Sequence, residues 1–293
     1  MFEFRMKTLL LVLFSVAALP SVSVAQPYFA PGQSDPKPSD KTWVAVENMT
    51  DEFYGETLDK TKWHGEPGVK GWGWMGRPPG LFKEDSIAIE DGKMNITVGV
   101  LEEPVTINGN EFKYHGAIIR SVNPGQVGDF FECRMKANHT EMSSTFWLIT
   151  PHGVQPRLEL DIQECVGRTS ELTQPWAKNW NQIFHSNTIV HYQDAPEKRI
   201  QIQNSTKPET ENWERFYVYS AWWKSPREIQ FYLDGKLQYT LDPTVDWDKP
   251  AYIQMAIETY DWNPVPEDGG FVASSPLEQR KTQYDWVRTW RLK

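Results

Sequence analysis

From about Trp43 to the end of the chain almost every apolar pattern has a period of two, and that feature limits the fold more than any other. Successive side chains of a strand point to opposite faces, so short alternating runs mark half-buried strands, whereas an amphipathic helix needs apolar residues at three-and-four spacing. IAIEDGKMNITV (87–98) reads as two alternating runs about Asp91-Gly92, and EIQFYLDGKLQYTL (228–241) as two about Asp234-Gly235; both dipeptides favour tight hairpins. GAIIRS, FFECRMKA, TFWLI, LELDIQE, NTIVHYQ, RIQIQ, FYVYSAWW, AYIQMAIETY and YDWVRTWRL follow the same rule between clusters of Pro, Gly and Asn. No segment sustains four helical turns of apolar periodicity and none repeats. More than ten strands in one domain of this size predict two packed sheets, an all-β sandwich. The longest interruptions, Gly65 to Gly80 and Asn263 to Arg280, are expected to form loops that carry ligand contacts on a rigid scaffold.

Charge and composition narrow the partners. A formal charge of −9 over 293 residues disfavours nucleic acid and anionic membrane surfaces. Two cysteines make neither a disulfide framework nor a four-thiolate zinc site. Cys133 alternates with Phe131 and Met135, and Cys165 follows the LELDIQE run; both read as buried small hydrophobes, although export would permit a bond. The 14 tryptophans exceed what one core needs, so some are expected to offer flat apolar faces to a ligand such as a sugar. Residues 1–25 read as a secretory signal: Arg5 and Lys7 precede an apolar stretch from Thr8 to Leu19, and Ser23-Val24-Ala25 makes a small-residue cleavage site. The apolar stretch is too short for the roughly 20 residues of a membrane span. Its removal takes away a net +1 and leaves 268 residues at −10. The expectation is a secreted, extracellular or periplasmic, monomeric protein with a Pro-rich leader over 26–42 and its folded domain over 43–293.

The segment RLELDIQEC (157–165) carries the chemistry. In a regular strand Glu159 and Asp161 share one face and Leu158, Leu160 and Ile162 the other, which leaves Glu164 out of phase. One extra residue in a β-bulge would return Glu164 to the Glu159 face. The two glutamates would then have Cα atoms roughly 13 Å apart and carboxyls about 5–6 Å apart, the separation found in a retaining glycosidase. Between them, a hydrogen bond from Asp161 would hold Glu159 ionised, while repulsion and partial burial would keep Glu164 protonated. A solvent-facing strand also shows Glu-x-Asp, but an acid out of phase has no reason on such a strand.

ELDIQE resembles the E-x-D-x-(x)-E signature of glycoside hydrolase family 16, and the resemblance extends over most of the chain from about Trp43. WMGRPPGLFKEDSIAIEDGK (74–93), MSSTFWLI (142–149), HSNT (185–188), AWWKSPREIQFYLDG (221–235), IETYDWNP (257–264) and YDWVRTWRL (284–292) are similar to the red-algal galactan branch, the β-agarases and β-porphyranases. The resemblance implies a jelly-roll sandwich of two antiparallel sheets with a concave substrate cleft. It also implies Glu159 as nucleophile, Glu164 as acid/base and Asp161 as assisting residue, with no cofactor required and a structural calcium for which Asp285 is the candidate ligand. The substrate expected is a galactan cut endo-wise at β-1,4 bonds: sulfated porphyran first, neutral agarose as the alternative. A galactan-binding lectin of the same fold is the alternative without catalysis.

Candidate substrate contacts are Trp72, Trp74 and Arg77 in the Gly-rich loop, the guanidinium suited to a sulfate. Trp147 reads equally as platform or core, and His185 as a sugar ligand or a structural residue. Glu258 binds sugar hydroxyls or sits on a wet strand face. Of Trp222 and Trp223 at least one must face the core. No Cys, His or carboxylate cluster has catalytic metal-ligand spacing, so no metal is assigned to the site.

Overall fold

The computed structural model describes residues 26–293; the expected signal over 1–25 lies outside them. Two large antiparallel sheets face each other. The outer, eight-stranded sheet runs Lys236–Leu241, Glu228–Leu233, Tyr217–Ser225, Phe130–Lys136, Lys281–Leu292, Lys93–Thr97, Ile87–Glu90, with Trp43–Ala45 paired to Lys281–Leu292. The inner, seven-stranded sheet runs Ile200–Thr206, Phe184–His191, Arg157–Val166, Ser143–Ile149, Tyr252–Ala256, Ile118–Ser121, Trp63–His64. Both expected hairpins form. Asp91-Gly92 and Asp234-Gly235 have positive φ at both positions, as the tight turn between right-twisted strands demands. Among the described residues the one α-helix is Gly270–Ser274.

Alternation decides what fills each layer. Leu158, Leu160 and Ile162 of the inner sheet and Cys133, Met135, Tyr219 and Trp223 of the outer one bury their side chains between the sheets. Each large apolar side chain removed from water there contributes about 1.5–3 kcal/mol. Cys133 and Cys165 are both buried and free. Trp222 points the opposite way from Trp223 and packs with Trp43, Phe130, Tyr232 and Trp290 on the far face of the outer sheet. The leader covers that face. Phe29 meets Phe130 and Tyr232 edge-on, and the Tyr28 N–H donates to Glu132. A third aromatic group, Trp72, Trp147, Trp74 and Phe82, lies on the open face of the inner sheet. Tryptophans thus occupy all three layers.

One small, three-stranded sheet is absent from the sequence reading. Gly80–Phe82 runs parallel to Asn110–Gly116, which pairs with Gly99–Ile107 through a third positive-φ turn at Asn108-Gly109. This small sheet anchors the downstream end of the Gly-rich loop: the Gly80 N–H donates to Arg77 O and the Phe82 N–H to Met75 O. Gly76 (φ 126°) is obligatory, because a Cβ would stand 2.2 Å from Gly80 O.

Candidate active site

The cleft lies on the open face of the inner sheet and has a volume of about 570 Å³. Its floor follows from one irregularity in strand pairing. Phe146 opposes Gln163 but Trp147 opposes Asp161, so Arg157–Val166 has one residue more than its neighbour, at Ile162. Beyond this bulge the phase inverts, and Glu164 joins Glu159 and Asp161 on the cleft wall opposite Thr145, Ile149 and Trp147 respectively. Ile162 stays fully buried in the core.

Each glutamate is backed by a histidine from the adjacent strand Phe184–His191. His191 Nε2 lies 3.1 Å from Glu159 Oε2, and His185 Nδ1 lies 3.4 Å from Glu164 Oε2. The other nitrogen of His185, Nε2, faces Gln203 Oε1 at 3.3 Å. The Tyr260 hydroxyl donates to Glu164 Oε1 at 3.0 Å. Burial pushes the Tyr260 phenol well above its ordinary range, so it remains a donor.

The distribution of protons differs from the sequence expectation. Burial first, then the charges of Glu164 and Glu159, push Asp161 well above the carboxylate range. Burial opposes ionisation of Glu164 as well, but His185, Tyr260 and Arg77 together hold it below its ordinary value. Of these two acids Asp161 is therefore the one that favours the proton. The expected Asp161–Glu159 hydrogen bond is not formed either. The shorter side chain stays at the sheet surface, level with Trp147 and Gln254.

The binding candidates divide. Trp72, Trp74, Arg77, Trp147 and Glu258 line the cleft. Trp74 stands edge-on to Phe82 and to Trp147, and Trp72 edge-on to Tyr252; Trp147 is buried in this cluster and still lines the cleft. Arg77 Nε donates to Glu258 Oε2 at 2.8 Å, and its guanidinium lies 5.3 Å from the Tyr260 ring. The Arg77 side chain is 44% exposed and Glu258's only 6%, so Glu258 is no wet-face residue but a buried carboxyl holding the arginine. Burial raises Glu258 to about 7 in spite of that arginine. His185 does not line the cleft. It is packed behind Glu164 against Trp180, 4.5 Å between ring centres, which makes it a partner of the carboxyl instead of a sugar ligand.

Of the two long loops only 65–80 reaches the cleft wall. The second is drawn to Glu141, whose carboxylate accepts the Phe271 and Val272 N–H groups at the start of the short helix. Asp285 does not fit a calcium ligand, since its carboxylate is bound to Arg134. Among the described residues no group of three or more His, Cys, Asp or Glu has metal-holding geometry. Sequence reasoning missed His191, Tyr260, Arg120 and Arg157. Tyr260 was within reach, being in phase with Glu258. It also missed an aromatic wall beyond Tyr260, where Trp262 stacks on Tyr260 at 4.6 Å and meets Trp180 and the exposed Trp176.

Comparison with known proteins agrees with this geometry. Residues 43–292 match the family model "β-porphyranase A–D, GH16 domain". The chain is 43% identical over 283 residues to β-porphyranase B of Zobellia galactanivorans, covering 93% of each. A crystal structure of porphyranase B from that organism superposes with a TM-score of 0.82 at 40% identity, over 91% of this chain and 98% of that one. β-Agarase AgaB34 of Agarivorans albus is 24% identical over 86% of this chain and 57% of its own. The chain is thus a glycoside hydrolase and belongs to the β-porphyranase A–D group of glycoside hydrolase family 16, whose members act with retention.

Proposed function

We propose that this protein is a secreted, endo-acting β-porphyranase that cuts β-1,4 bonds between D-galactose and α-L-galactose-6-sulfate. The observation that carries the reading is the bulge at Ile162, which gives one cleft wall both Glu159 and Glu164 beside the half-exposed cation of Arg77. Glu159 attacks the anomeric carbon, and Glu164, which first takes up a proton from water, passes it to the departing oxygen. Water, deprotonated by Glu164, then opens the glycosyl-enzyme and restores the β-configuration. Atoms balance with two carboxyls and one water, so the chemistry calls for no metal. A proton on Asp161 spares the cleft wall three adjacent charges. Esterification of Glu159 removes one charge that raised Asp161 and eases its ionisation. The Arg77 nitrogens not used by Glu258 are suited to the sulfate, and Trp74 and Trp147 to the sugar faces. All named groups come from one chain, which supports a working monomer, and the features of residues 1–25 support export.

The test is parallel digestion of porphyran and desulfated agarose by the unaltered protein and by Arg77→Ala. Sulfated oligosaccharides from porphyran, poor action on agarose and loss of most activity in the variant are expected. Equal or better cleavage of agarose would select a β-agarase. Activity unchanged by Glu159→Gln would refute the nucleophile, and absence of any cleavage beside tight binding would select a lectin.

A further inference from the structure

The segment 258–263 leaves the inner sheet just after Tyr252–Ala256 and still touches the reacting groups at every step. Glu258 receives Arg77, and the Thr259 hydroxyl donates to Arg77 O at 2.6 Å while accepting the Gly80 N–H at 3.1 Å. Tyr260 donates to Glu164 Oε1, and Trp262 stacks on the Tyr260 ring. Beyond Glu258, whose carbonyl accepts the Ser143 N–H, no sheet ladder holds the chain. Something else must fix a turn whose tyrosine has to point at one carboxyl oxygen.

Asn263 does so. It is fully buried, and both polar atoms of its amide are used. Nδ2 donates to Glu141 O at 2.7 Å and to Arg168 O at 3.0 Å, and Oδ1 accepts the Thr173 hydroxyl, which itself accepts the Ser170 N–H. The Asn263 N–H donates to Tyr260 O at 3.1 Å and closes the turn, while the Gln174 N–H donates to Trp262 O at 2.8 Å. Glu141 precedes the strand Ser143–Ile149, and Arg168 and Thr173 follow Arg157–Val166. One amide thus ties the turn of Tyr260 to both strands that meet at the bulge. Two donors and an acceptor on so short a side chain are available from asparagine alone; aspartate has no donor and leucine has neither. An apolar residue of that size would fill the space without the desolvation an amide costs, so what the amide adds is direction. Glu164 is faced by His185 from the strand behind it, by Tyr260 and Arg77 from this side, and by the charges of Asp161 and Glu258. His185 and Asp161 stand on strands, whereas Tyr260 depends on its turn.

We propose that Asn263 is a positioning residue of the reaction, which fixes the turn 260–263 and so keeps the Tyr260 hydroxyl aimed at Glu164. This rests on the reading of Glu164 as the acid/base. Without the amide, the carbonyls of Glu141 and Arg168 lose their donor, the turn relaxes, and the hydroxyl leaves the carboxyl. Because that hydroxyl helps to hold Glu164 below its ordinary value, the acid then binds its proton more tightly. The rival explanation is that Asn263 only joins two loops, in which case its loss lowers stability and leaves the acid as it was.

The experiment measures kcat/KM on porphyran against pH for the unaltered protein, Asn263→Ala, Tyr260→Phe and the double variant, with thermal unfolding of each alongside. Asn263→Ala carries no new charge, so a shift in its profile reports the hydroxyl. Each single substitution should move the alkaline limb up by about 0.5–1 pH unit, and Asn263→Ala should lower kcat/KM at the optimum by about 10-fold. In the double variant the limb should go no further than in Tyr260→Phe, because the two residues act through one contact. A limb that stays fixed in Asn263→Ala while the thermal midpoint falls would overturn the inference, as would one that Tyr260→Phe does not move, or shifts that add in the double variant. If Asn263→Ala does not fold, Thr173→Val decides: it removes the hydroxyl from Asn263 Oδ1, and a smaller upward shift supports the inference where none overturns it. Glu164→Gln should lose activity by several orders of magnitude. Retained activity there would overturn the reading of the acid, and this inference with it.

Discussion

Replacing Glu132 with Gln should flatten the pH dependence of stability without touching the cleft. Glu132 is fully buried on the leader side of the outer sheet, where its two oxygens accept the Tyr28 N–H at 3.0 Å and the Trp290 Nε1–H at 2.8 Å. Burial dominates these two hydrogen bonds and raises the carboxyl to about 7 from an ordinary 4.5. Between those two values the folded protein holds a proton that the unfolded chain has released, so stability is full below about 4.5 and falls as pH rises through 7. A difference of about 2.5 in pKa at about 1.36 kcal/mol each corresponds to a loss of about 3 kcal/mol. The Gln variant cannot titrate. Its amide nitrogen cannot accept, so it gives up one hydrogen bond at every pH, a cost of about 1–3 kcal/mol. Denaturant unfolding at pH 5, 6, 7 and 8 reads both effects. At pH 5 the variant is the weaker protein, and by pH 8 the gap closes or reverses. Glu258, also raised to about 7, adds a slope common to both proteins and cancels in the comparison. Parallel curves for the two proteins across the whole range would refute the argument.

Two further outcomes concern the cleft. Tyr260→Phe removes the O–H that helps to hold Glu164 down, so the pKa of that acid rises and the alkaline limb of kcat/KM should move to higher pH; a limb that stays fixed or moves down would separate Tyr260 from the acid. Gly76→Ala sets a Cβ against Gly80 O and displaces the turn that carries Trp74 and Arg77. Activity on porphyran should fall about 100-fold with the thermal midpoint of the sandwich shifted by only a few degrees, and retained activity would show that the loop is adaptable.

The sandwich was legible because each strand encodes its own two faces, and the bulge was legible because Glu164 breaks the alternation that Glu159 and Asp161 set up. What lay outside the sequence depends on neighbours distant in the chain. Gly80–Phe82 is three residues long and becomes a strand only through Asn110–Gly116. Arg77 and Glu258 are 181 residues apart, and nothing local to either shows that the carboxyl faces the guanidinium. His185 belongs to a recognisable motif that reads as a sugar ligand or a structural residue, and the registered pairing of its strand turns it to Glu164 and gives Glu159 to His191. The proton balance was also illegible. Which carboxyl stays neutral depends on burial, and the strand pattern assigns no burial difference among three acids on one face.

That balance bears on how an acidic protein handles a polyanion. A formal charge of −9 opposes a sulfated chain at long range, but the Debye length of about 8 Å at physiological salt confines the repulsion to near contact. Inside the cleft the count differs. Asp161 is neutral, Glu258 titrates near 7 and is matched by Arg77, and Arg120 and Arg157 face the groove without carboxylates of their own. Glu159 and Glu164 lie against histidines on one neighbouring strand, whose positions 191 and 185 share a face because their separation is even. The groove therefore presents three guanidinium groups together with the aromatic side chains of Trp72, Trp74 and Trp147. The acids that carry out the reaction are left turned toward the bond, with their charge shared by groups behind the wall.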